Sequence, residues 1–99
     1  MAQFDYFKNS GGEGFLVDIQ ADLLDYLTTR VVVPLLPAAQ VPPSLGHLHP
    51  RFEIGGVSFV LATQLLTAIP ANELRDRSGN LARHRDDIVR AIDTLLIGV

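Results

Sequence analysis

Cysteine is absent from this 99-residue chain, which excludes a disulfide framework and any thiolate metal centre. Charge is scarce as well: Asp, Glu, Lys and Arg make up 19% of the residues, and the net charge is −3. That balance is poorly suited to a phosphate backbone, so direct nucleic-acid binding is not expected and a basic protein partner fits better. Long apolar runs are missing. The longest, residues 31–39, is short and broken by Pro34 and Pro37. The first five residues lack the basic and apolar blocks of an export signal, so a soluble, cytoplasmic protein without membrane contact is expected.

Catalytic signatures are equally thin. No serine stands in a Gly-x-Ser-x-Gly setting, and no pair of carboxylates is set apart from ordinary surface acids. The glycine-rich stretch 11–14 has no following lysine and opens no helix, which removes a phosphate-binding loop. His47 and His49 fall on one side of a strand with Glu53 near, but Pro50 interrupts the segment and no third nitrogen ligand is close. His84 lies between Arg83 and Arg85, where a solvated basic turn accounts for it. No catalytic residue, metal or cofactor is therefore expected.

The residues that are present describe one small core. Apolar residues make up 47% of the chain, enough for a single domain over 1–99. Residues 3–7 read as a strand with Phe4 and Tyr6 inward. After a turn at 9–14, residues 15–20 resume the two-residue period, with Phe15, Val17 and Ile19 inward and Asp18 and Gln20 outward. Residues 22–27 are too short for a stable helix and read as an ordered loop or single helical turn, with at least one of Leu23 and Leu24 exposed. Residues 30–36 form a β-branched run covered on both faces, with Pro34 expected at its end or at an edge. A proline-rich loop follows at 37–46.

The clearest local signal is Gly55-Gly56, a two-residue turn that accepts positive φ at both positions. Folding there pairs Ile54 with Val57, Phe52 with Phe59, Glu53 with Ser58 and Arg51 with Val60. Residues 68–71 break the pattern, and 72–79 read as a charged connection. The last stretch, 80–99, carries Leu81, Ile88, Ile92, Leu95 and Val99 at helical spacing, with Arg83 and Asp87, and Asp86 and Arg90, at the offset that lets opposite charges meet. Its end, 95–99, is apolar all round, and such a tip needs a cover: its own core, a second copy or another protein. The sum is an α+β domain, a small, strongly bent antiparallel sheet with one C-terminal helix across it.

Phe15-Leu16-Val17-Asp18-Ile19-Gln20-Ala21-Asp22-Leu23-Leu24-Asp25 resembles the Phe-Val-Asp-Val-Gln-Ser-Asp-hydrophobic-hydrophobic-Asp stretch of the CcdB toxins of toxin–antitoxin pairs. Arg30-Val31-Val32-Val33-Pro34-Leu35 is similar to their Arg-hydrophobic-Val-Ile-Pro-Leu strand. Ile54-Gly55, Ile69-Pro70 and the helix from Asp87 to Val99 follow in the same order. The resemblance implies a Src-homology-3-like barrel of the CcdB type, forming a homodimer that poisons or blocks the A subunit of DNA gyrase until a cognate antitoxin removes it. No chemistry by the toxin is implied. The gyrase-binding positions it implies are Ile97, Gly98, Val99, Leu23, Leu24, Asp86, Arg90 and Asp93. The best-known members carry tryptophan at the position of Ile97 and asparagine at that of Asp93, so weaker gyrase binding is expected here. Two alternatives remain: an endoribonuclease toxin of the related MazF and Kid barrel group, and a non-toxic homologue that keeps only antitoxin binding.

Overall fold

The computed structural model describes residues 1–41 and 45–98. Seven strands among them form one antiparallel sheet: β1 (Asp5–Lys8), β2 (Phe15–Asp18), β3 (Thr29–Pro37), β4 (Arg51–Ile54), β5 (Val57–Leu61), β6 (Thr67–Pro70) and β7 (Arg77–Asn80). A single α-helix, α1 (Arg85–Leu96), closes the chain. The spatial order is β4-β5-β3-β2-β1-β7, with β6 also on β3, and the sheet curls into a half-barrel with the helix packed against it. None of the described helices is long and apolar enough to cross a membrane.

β3 is the hub because its side chains suit burial on both faces. Val33 and Leu35 join the main core with Phe4, Val17, Phe52, Phe59, Leu61, Leu81, Ile88 and Ala91. Val32 faces the other way and packs with Phe7 and Leu74 in a second, smaller cluster. One edge of β3 pairs with β2 from Phe15↔Leu35 to Asp18↔Val32. The other edge is divided, with residues 29–32 on β6 and 35–37 on β5. Pro34 therefore lies inside a strand rather than at its end or at an edge. It is tolerated because it falls where the divided edge changes partner, so its missing N–H breaks no ladder there, while its carbonyl accepts the Ala62 N–H at 2.9 Å.

The β4–β5 hairpin has the expected register at all four pairs. Gly55 and Gly56 take φ of 60° and 80°, the left-handed pair that matches the twist of the flanking strands. Two other expectations fail. Residues 67–70 are a strand, β6, despite Pro70. The stretch read as a charged connection contains β7, which pairs with β1 through Asp5↔Asn80 and Tyr6↔Gly79. Both are edge strands whose side chains are largely exposed, so neither shows the apolar alternation that marks a half-buried strand.

Asp18 and Gln20 are buried, not outward. Asp18 accepts two hydrogen bonds from buried Arg30, at 2.9 Å from Nε and 2.5 Å from Nη2. Gln20 accepts the Val31 N–H at 3.1 Å and donates to the Leu24 carbonyl at 2.8 Å. The helix, finally, begins at Arg85. Leu81 precedes it in the chain and anchors the approach by burial, and Ile88 and Ala91 carry the buried stripe of α1 itself. Full burial of an aliphatic side chain of this size stabilises by roughly 1.5–3 kcal/mol.

Candidate functional site

The helix ends in apolar residues that none of the described residues covers: Leu96 is 68% and Ile97 71% exposed. Its termination has a local cause. Gly98 adopts φ 84°, and its N–H donates to the carbonyls of Asp93 and Thr94 at 3.1 Å, while the Ile97 N–H donates to Asp93 at 2.8 Å. This left-handed cap satisfies carbonyls that the last turn would leave open. Gly98 thus has a structural duty, and Val99 lies outside the described residues.

Asp86, Arg90, Asp93 and Ile97 follow one another at offsets of four, three and four, so they form one stripe along α1. Asp86 and Arg90 are exposed, and Asp93 is half-buried. The four-residue charge pairs expected on this helix do not form. The ion pairs among the described residues are Arg30–Asp18 and Arg77–Asp5.

Leu23 and Leu24 sit on a single 3-10 turn, Asp22–Leu24, with Leu23 85% exposed. The turn is held from below by the Gln20 amide on Leu24 and from the side by the Gln3 N–H on Asp22 Oδ1 at 2.7 Å. Tyr26 and Leu27 extend the same exposed patch. Their signal in the sequence is a Leu-Leu-x-Tyr-Leu run in a segment too short for a helix. α1 packs mainly on the 46–48 and 63–65 turns, and the Leu23–Leu24 turn is anchored to the N-terminal segment instead. The two patches are carried by different elements.

The platform under the turn is electrostatic. Burial pushes the Asp18 carboxyl above its ordinary range, and the Arg30 guanidinium and the Gln20 N–H offset part of that. Asp5 is the converse. Burial raises it, but the Ala2 N–H, Asn80 and Arg77 together outweigh that and hold its carboxyl below the ordinary value. Aspartate and arginine here serve to fix the backbone that presents the exposed leucines.

The histidines are otherwise occupied or isolated. His84 lies on the Phe52 ring with centroids 4.7 Å apart. His49 Nδ1 accepts the Leu45 N–H at 3.0 Å, and its Nε2 meets Gln64 Oε1 at 2.7 Å. His47 lines a separate polar cleft beside α1. No cluster of His, Cys, Asp and Glu among the described residues could hold a metal ion.

Two comparisons bear on this geometry. A family model described as CcdB protein matches residues 3–98. Among solved structures, an endoribonuclease in complex with its cognate antitoxin from a mycobacterial species superposes with a TM-score of 0.76 at 14% identity. The match covers 97% of this chain and 94% of that one. At so low an identity the likeness is one of fold.

Proposed function

This chain belongs to the CcdB family of toxin–antitoxin toxins, and from that premise we propose that it binds the A subunit of DNA gyrase and is neutralised by a cognate antitoxin. It acts by contact rather than by chemistry. The observation that carries the reading is the bare apolar tip of α1, Leu96 and Ile97, continuous with the stripe of Asp86, Arg90 and Asp93. Leu23 and Leu24 add a second exposed apolar point on a braced turn. A homodimer would present each feature twice, and two weak contacts on one partner gain by linkage what either lacks alone. Gly98 and Val99 complete the contact, Gly98 also capping the helix in a left-handed conformation.

The test is binding of immobilised gyrase A subunit by the full chain, by a chain ending at Ile97, and by Leu23→Arg. Each altered chain is expected to bind at least about tenfold more weakly, a loss of about 1.4 kcal/mol. Thermal unfolding of each separates lost contact from a lost helix cap. Ile97→Trp is expected to bind about tenfold more tightly, since an indole adds stacking on a guanidinium to the apolar burial. Equal binding by all four proteins overturns the reading. RNA cleavage by the purified chain, with gyrase untouched, replaces it with the endoribonuclease alternative.

A further inference from the structure

A polar cleft of about 240 Å³ lies between α1 and the 46–48 turn, lined by His47, Pro50, Arg51, Asp87 and Arg90. Separate elements supply its groups: His47 comes from the turn, Arg51 opens β4, and Asp87 and Arg90 lie on successive positions of one helix face. The two arginines in ion pairs among the described residues, Arg30 and Arg77, each hold a carboxylate. Arg51 and Arg90 hold none among the described residues, and Asp87 shares their cleft without pairing with either. Two arginines and a histidine therefore line one space together with a single acid.

We propose that this cleft is a docking site for one acidic side chain of a protein partner, its carboxylate seated between Arg51 and Arg90 with His47 at the rim. A guanidinium fork matches the two oxygens of a carboxylate, and two forks exceed what Asp87 alone can satisfy. The surroundings select a single carboxylate over a nucleic-acid backbone. Glu53 on β4 and Asp86 and Asp93 on α1 carry no ion-pair partner among the described residues, in a chain of net charge −3. A long polyanion meets that repulsion along its length, whereas a lone acidic side chain meets mainly the local cations. The site shares Arg90 with the proposed gyrase surface, but Arg51 and His47 belong to it alone.

The probe is glutamate capped at both ends, N-acetyl-glutamic acid α-amide, titrated into ¹⁵N-labelled protein while the Nε–Hε signals of Arg51 and Arg90 are followed. Inorganic phosphate and sodium chloride at equal ionic strength form separate arms. The expected result is saturable movement of both signals by the capped glutamate. Arg51→Gln should weaken it at least about fivefold, by removal of one charge-assisted pair, and Asp87→Asn should tighten it by removing the competing acid. Shifts that merely follow sodium chloride, that survive Arg51→Gln unchanged, or that saturate with phosphate but not with the carboxylate overturn the proposal. Arg51 is outside the proposed gyrase surface, so Arg51→Gln leaves gyrase binding intact and the two readings fail separately.

Discussion

Asp18 and Arg30 show how far a single residue's role can depart from its place in a pattern. Alternation along β2 puts Asp18 on the face opposite Val17, which in a two-layer protein would be solvent. Here that face is covered by a second small cluster around Phe7, Val32 and Leu74, so the acid is buried and needs the guanidinium twelve positions on. The one hint in the sequence is an arginine opening an otherwise apolar run. Removing one member leaves the other charge buried without compensation. Asp18→Ala is expected to destabilise by about 3–5 kcal/mol, a large part of the roughly 5–15 kcal/mol that holds such a domain. The double change Asp18→Leu with Arg30→Met should recover most of that loss, and urea midpoints of the natural chain and the two variants check it. If the double variant is as unstable as the single one, the pair does more than neutralise itself.

Elements were legible in proportion to how much of them is buried on one side only. The β4–β5 hairpin could be read to the residue, because Gly55-Gly56 fixes the turn and Phe52 with Phe59 fixes the face. The terminal helix was legible through Ile88 and its neighbours, although the helical spacing extends back to residue 80 while the helix begins at Arg85, since Leu81 is buried by position rather than by helical phase. β6 and β7 were invisible. Arg77-Ser78-Gly79-Asn80 has neither β-branched nor aromatic residues, and only the partner strand explains its conformation. Of the candidate surface, the apolar tip and the leucine pair were legible as uncovered residues, while the cap that shapes the tip was not. Gly98→Ala is expected to cost about 1 kcal/mol, because the left-handed φ there suits glycine alone among the two. Faster amide exchange confined to the last turn of α1 is the signature, and unchanged exchange would refute the capping role.

For the molecule as a whole, acid sensitivity follows from Asp5. Its carboxyl titrates below the ordinary value of 3.8, so folding favours the charged form. That contribution is present at neutral pH and lost as pH falls through the lowered folded value. Asp18 works in the opposite sense, since its raised value makes the folded state hold its proton more tightly. The stability gap between the natural chain and Asp5→Asn should accordingly be fully present at neutral pH and narrow as pH falls below the ordinary value of 3.8 and through the lowered folded value, as read by denaturant unfolding across that range. A gap independent of pH would mean that the charge on Asp5 contributes nothing.

The pairing of β1 with β7 has a consequence in time. Asp5 and Arg77 stand 72 positions apart, so β1 keeps one edge unmatched through synthesis until β7 has also left the ribosome. The sheet cannot be completed during early synthesis, and the helix that bears the bare tip is assembled later still. The exposed tip is therefore displayed only after the edge that closes the sheet has become available.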